Sequence, residues 1–204
     1  ELGLMYLKGD GVSKNEKVAV RWIQKAADQE YTPAQYSLGN SYDFGEGVTK
    51  NFEKAVNWYR LAAESGHSDA QNRLGDKYFF AEGVEQDFKK AAKWWREAGV
   101  QGNKYAQYNL GVMYKEGKGV DQDLKEAVRW YQKSADQGFL NAQSSLEEVF
   151  ETHPELKVSK HFLKTKAKAE AGDVTSQYNL GVAYDNGEGV LQDYKEAAKW
   201  YRKA

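Results

Sequence analysis

The chain has 204 residues, 29 Lys and Arg against 30 Asp and Glu, a net charge of −1, three His and no Cys. That balance gives no overall attraction to nucleic acid or to an anionic membrane surface. The missing cysteines exclude disulfides and thiolate metal sites, and no apolar run is long enough for a transmembrane helix.

Repetition dominates. Leu2 and Gly3, Leu38 and Gly39, Leu74 and Gly75, and Leu110 and Gly111 form pairs 36 residues apart, with a further pair at Leu180 and Gly181. A fixed period of this size marks a stacked helical repeat.

The first copy (residues 1–30) begins inside its first helix. It keeps a tip at Gly9, Gly11 and Val12 and a cap at Asn15, and has Glu30 where other copies close with glycine. In the second (31–66), Thr32 reads as N-cap and Pro33 as first helical residue. Gly45, Gly47, Val48, Asn51, Trp58, Tyr59 and Gly66 follow in order. The third (67–102) has Ala81 for the first tip glycine, Gly99 for a helix alanine, and the pair Trp94 and Trp95.

The fourth (103–138) is the most regular. Ala106, Leu110 and Tyr114 recur at i, i+4, i+8 and predict one face of a first helix. Gly117 and Gly119 predict its stop, since glycine takes the left-handed conformation of a helix C-terminus, and Val120 is expected to plug the tip. Asp123 with Glu126 reads as N-cap and capping box of a second helix. Ala127, Trp130, Tyr131, Ser134 and Ala135 form that helix's apolar face, and Gly138 closes it.

The fifth copy (139–172) departs. Leu146 keeps the register, but Glu147 replaces the glycine, the tip is missing, and a basic run from Lys157 to Lys168 reads as a solvated helix face. Ala169 and Gly172 still match the end of a second helix, and the altered spacing predicts a bend or docking surface around Glu147 to Lys168. The sixth (173–204) is regular but incomplete. With both ends cutting through a repeat, the chain is expected to be a monomeric segment of a longer one.

A glycine inside a helix costs about 1 kcal/mol relative to alanine. Its recurrence at Gly111 and equivalents predicts that the first helix approaches a neighbour too closely for a Cβ. Trp22, Trp58, Trp94, Trp130 and Trp200 are expected to fill the space beside it, and Tyr6, Tyr42, Tyr78, Tyr114 and Tyr184 to be core.

The pattern Leu-Gly-x-x-Tyr-x-x-Gly-x-Gly-Val, an Asp or Asn three residues on, then Ala-x-x-Trp-Tyr and Ala-Ala-x-x-Gly, resembles the Sel-one-like repeat (SLR) family. That family is related to the tetratricopeptide repeats, and the resemblance covers nearly the whole chain. Some members carry a cysteine pair in each repeat; this chain does not. The reading is an all-α, right-handed superhelical solenoid of antiparallel helix–turn–helix repeats: four regular, one degenerate, one incomplete.

The resemblance implies a non-catalytic protein–protein interaction scaffold or adaptor, with a carbohydrate or cell-wall glycan-binding module as alternative and a hydrolase third. It would serve bacterial signalling, envelope processes or host contact, or eukaryotic quality control, with a periplasmic or secreted place favoured for a bacterial member.

Chemistry-bearing motifs are weak. The Gly-x-Gly pairs follow helices and lack the strand and third glycine of a dinucleotide fingerprint. Asp185 to Val190 lacks the ligand spacing of a calcium loop. His67, His153 and His161 form no helical ligand pair and read as loop histidines. Some members of the resembled family have been labelled β-lactamases, but no Ser here has a Lys three residues on and no Lys-Thr-Gly occurs. No enzyme, cofactor, metal, nucleic acid or membrane insertion is expected.

By resemblance to the tetratricopeptide repeats, first helices line a concave groove. The carried-over positions are Tyr36, Asn40, Asp43 and Phe44; Asn72, Asp76, Phe79 and Phe80; Tyr108, Val112, Lys115 and Glu116; and Tyr178, Val182, Asp185 and Asn186. Ser144, Glu148, Glu151 and Thr152 follow if the fifth copy's first helix keeps its shape. Phe44, Phe79 and Phe80 are either a binding surface or packing against a neighbouring repeat. The acidic positions predict a mildly acidic groove for a basic and apolar segment.

Overall fold

A computed structural model describes residues 1–204. The chain folds into helices α1 (Leu2–Lys8), α2 (Glu16–Ala27), α3 (Thr32–Phe44), α4 (Phe52–Glu64), α5 (Ser68–Phe80) and α6 (Phe88–Val100). These are followed by α7 (Lys104–Glu116), α8 (Leu124–Ala135), α9 (Leu140–Thr152), α10 (Lys160–Glu170), α11 (Val174–Asn186) and α12 (Tyr194–Tyr201). A 3₁₀ turn, Pro154–Leu156, follows α9. Two compact units result, Glu1–Phe139 and Leu140–Ala204.

In the first unit four helix pairs stack in chain order, each helix packing on the next. Every hairpin closes the same way. The first helix ends on a left-handed residue, Gly45 at φ 79° and Gly117 at φ 68°. The capping residue of the second helix then returns its N–H to the repeat tyrosine's carbonyl, as from Asn51 to Tyr42 at 2.8 Å and Asp123 to Tyr114 at 2.9 Å. Its side chain accepts from the helix's own first turn: Asp123 Oδ1 lies 2.9 Å from Lys125 N and 3.0 Å from Glu126 N. Ala81 takes the same left-handed turn at φ 60° without being glycine.

The mid-helix glycines do mark a close approach, but the partner differs from the sequence expectation. A Cβ on Gly39 would lie 2.5 Å from Tyr59 Cδ1, and one on Gly75 2.5 Å from Trp95 Cδ1. Gly111 faces Tyr131 in the same way. The filler is therefore the residue after each tryptophan. A helix turns about 100° per residue, so only one of two adjacent aromatics can face its own first helix.

The tryptophan turns toward the preceding copy instead. Trp58 packs against a cluster in which Val20, Ile23 and Ala27 of the preceding copy meet Ala34 and Leu38 of its own. Trp130 sits beside Gly99, whose added Cβ would be 3.2 Å from its Cζ3. Trp22, expected in the core, is 42% exposed. Of the repeat tyrosines only Tyr78 is buried; Tyr6, Tyr42, Tyr114 and Tyr184 are half-buried.

A glutamine absent from the sequence reading also joins copies. Gln71 Nε2 donates to Ala63 O at 3.1 Å and Gln107 Nε2 to Gly99 O at 2.9 Å, each capping the end of the preceding copy's second helix. Tyr31, rather than Thr32, is the N-cap of α3 and makes no side-chain cap.

In the second unit α10, α11 and α12 pack consecutively, around Phe162, Ala169, Leu180 and Trp200. Gly189 O accepts from Ser159 N at 2.7 Å. Helix α9 keeps the full 13 residues of a first helix despite Glu147, and buries Ala142, Leu146 and Val149. The basic run becomes α10, with Lys160, Lys164 and Lys168 exposed and Phe162 buried.

Candidate groove on the first helices

The first helices α3, α5 and α7 place side chains around two adjoining hollows of the first unit. One, a cleft of about 380 Å³, gathers four predicted groove residues, Tyr36, Asn72, Asp76 and Tyr108. It adds five that were not predicted: Asp69, Arg73, Tyr105, Asn109 and Phe139. The other, of about 290 Å³, gathers Asp43, Phe44, Asp76 and Phe80 with Lys50, Phe52, Arg73, Lys77 and Glu82.

The cleft has aromatic walls and a polar floor. On one side Tyr36 stacks on His67, ring centroids 4.6 Å apart. His67, expected to be a loop histidine, also caps α5, its Nδ1 accepting from Ala70 N at 3.3 Å. On the other side Phe139 meets Tyr105 and Tyr108 edge-on at 5.4 and 5.2 Å. Between them α5 presents Asp69, Asn72, Arg73 and Asp76.

Asp76 Oδ1 accepts from Trp95 Nε1 at 3.1 Å and from Asn109 Nδ2 at 3.4 Å, and Oδ2 lies 3.9 Å from Arg73 Nη1. Burial pushes its carboxyl up to about 6, against the lowering effects of Trp95, Arg73 and Lys77. Asn72, 8% exposed, has no donor for its Oδ1.

Two predicted residues are corrected. Asp43, at the edge of the second hollow, is 5% exposed, and its charge is met inside the fold. It pairs with the buried Lys77, which also reaches Glu82 at 2.6 Å, and accepts from Tyr59 Oη at 3.1 Å. Burial, then the Asp43 carboxylate, push the Tyr59 hydroxyl well above its usual range, so it stays a donor. Phe79 is packing: its ring lies 5.0 to 5.3 Å from those of Phe80, Phe88 and Trp95.

Phe44 and Phe80 remain exposed, at 55% and 64%. Arg73 holds its guanidinium carbon 5.6 Å over the Phe44 ring. Asn40 receives the Tyr59 hydroxyl at 2.8 Å, so it serves the framework. Val112 and Lys115 are half-buried, and Glu116 pairs with Lys118 at 2.7 Å.

Tyr178, Val182, Asp185 and Asn186 belong to the second unit. There Tyr178 is exposed beside Tyr201, ring centroids 5.7 Å apart, and Asp185 accepts from the Tyr201 hydroxyl at 3.3 Å. Asn186 donates to Glu188 at 3.1 Å.

The missed residues have a positional signal. Asp69 and Tyr105 stand five residues before their repeat leucine, and Arg73 and Asn109 one before. These positions are within a turn or so of the predicted ones. Phe139 comes from beyond the closing Gly138, where no single-copy pattern reaches.

The Sel1 repeat profile matches residues 1–31, 32–67, 68–103, 104–139 and 174–204. The chain belongs to the Sel1 repeat family. Residues 140–173 lie outside the matched repeats. Among solved structures, a protective antigen of uropathogenic Escherichia coli strains displaying an SLR fold is 35% identical, with a TM-score of 0.74. That match covers 99% of this chain but 44% of the antigen.

A Sel1 repeat protein from Oxalobacter formigenes is 32% identical, with a TM-score of 0.72, over 99% of this chain and 82% of its own. Helicobacter pylori cysteine rich protein B is 26% identical, with a TM-score of 0.52, over 68% of this chain and 99% of its own. No curated protein matches the chain. Sel1 repeats are commonly protein-interaction scaffolds and generally non-catalytic, and no helix here is long and apolar enough to cross a membrane.

Proposed function

We propose that this Sel1 repeat segment is a non-catalytic adaptor that holds a partner protein's segment in the groove of α3, α5 and α7. The observation that carries the reading is the pair of exposed phenylalanines, Phe44 and Phe80, at the hollow adjoining the aromatic-walled cleft. Their neighbours Phe79 and Phe88 are already packed, so this apolar surface is not needed to close the repeat stack. Exposed aromatics, Phe among them, are enriched at protein interfaces relative to the rest of the surface. The remaining predicted contacts, Asn72, Asp76 and Tyr108, supply polar and aromatic surface beside them.

A random-peptide display selection against the whole chain tests this. Selected peptides should bind the Phe44→Ala/Phe80→Ala variant at least tenfold more weakly, a loss of about 1.4 kcal/mol or more. Circular dichroism should show the variant's helix content unchanged, because neither ring is buried. Undiminished binding would refute the groove reading.

A further inference from the structure

We infer that the cleft between Tyr36 and Tyr108 is the seat of one cationic side chain, arginine foremost, belonging to the segment held in the groove. This rests on the binding reading above and names the chemistry of its anchor.

Three observations converge. The atom left wanting a partner at the cleft is an acceptor. Asp76 Oδ2 meets Arg73 at 3.9 Å, beyond hydrogen-bond length, while Oδ1 takes the donors of Trp95 and Asn109. A carboxylate oxygen met this weakly calls for a donor to complete it. The lining's charge is also negative, two carboxylates, Asp69 and Asp76, against the single guanidinium of Arg73. Arg73 spans both hollows, lying over the Phe44 ring and beside Tyr36 and Asp76, and so meets only part of that charge.

The walls complete the fit. Tyr36 and Tyr108 present aromatic rings on opposite sides of the floor. A guanidinium is planar, stacks on aromatic faces and carries its donors at its edge. Set between these rings, it directs those edges toward Asp76 Oδ2. An anion would meet the two carboxylates, and a purely apolar group would leave Asp76 Oδ2 unmet.

The test is an NMR titration of the whole chain with N-acetyl-arginine amide and with its neutral isostere, N-acetyl-citrulline amide. Saturable shifts at Asn72 and Tyr108 are expected with the arginine probe, at least tenfold weaker with citrulline. They should be lost in Asp76→Asn and reduced several-fold in Asp69→Asn, an exposed position whose exchange leaves the fold intact. Equal responses to the two probes, shifts confined to other surfaces, or no shift at all would overturn the inference. Should the arginine probe fail while selected peptides still depend on Phe44 and Phe80, the anchor falls and the groove stands; should both fail, so does the groove.

Discussion

Replacing the mid-helix glycines one at a time by alanine tests the packing logic of the array. In a free helix each change would gain about 1 kcal/mol. Here the new Cβ of Gly39→Ala would sit 2.5 and 2.6 Å from Tyr59 Cδ1 and Cε1, where carbon atoms prefer about 3.5–4.0 Å. The Tyr59 ring has nowhere to go: it is fully buried, with its hydroxyl tied to Asn40 and Asp43. Overpacking of this kind costs about 1–3 kcal/mol. An overlap of an ångström belongs at the upper end, so the net loss should be about 2 kcal/mol. Gly75→Ala meets Trp95 in the same way. Gly181→Ala offers an internal control, because its distances to Tyr201 are the same but that ring is 36% exposed and can swing away; its net effect should be near zero. Urea unfolding followed by circular dichroism measures all three. Equal effects at Gly39 and Gly181, or a stabilised Gly39→Ala, would refute the reasoning.

Ala81→Gly should raise stability by about 1 kcal/mol, because Ala81 holds a left-handed conformation that costs an L-residue about that much; the urea midpoint reads it. Lys77→Met, the residue the fourth copy places there as Met113, should destabilise by about 3–5 kcal/mol by leaving Asp43 buried and unpaired. A double Asp43→Asn/Lys77→Met variant should recover part of that loss. Asp76 gives a pH signature. Its carboxyl is raised by burial from 3.8 to about 6, so the folded chain holds the proton more tightly than the unfolded one. Stability from this group is complete below about pH 4 and is lost as pH rises through 6, by roughly 3 kcal/mol in all. Melting curves should therefore show Asp76→Asn gaining on the parent chain between pH 5 and 7.5, and parallel curves would contradict the assignment.

The repeat framework was legible in the sequence because each of its devices recurs: the capping Asn or Asp, the tip glycines and the Leu and Gly pairs repeat at one spacing, and repetition separates them from chance. What single-copy patterns could not give is which of two adjacent aromatics turns inward, since Trp58 and Tyr59 share a composition signal and only the helix phase against Gly39 decides between them. Part of the lining of the candidate groove was legible for a related reason. Position along the first helix located Tyr36, Asn72, Asp76 and Tyr108, but not how each side chain is spent. Asp43 is spent on Lys77, a lysine at a core position where the second copy has Ser41, and Phe79 on Phe88 and Trp95. Those pairings cross helices and copies, so they become visible only when the stack is assembled.

The most direct test of the groove account is a photo-crosslink from a selected peptide carrying benzophenone at its centre, mapped on the whole chain by mass spectrometry. The account predicts adducts on α3, α5 and α7, at or beside Tyr36, Phe44, Asn72, Phe80 and Tyr108. Adducts confined to the second helices α2, α4, α6 and α8, or to α9–α12, would contradict it.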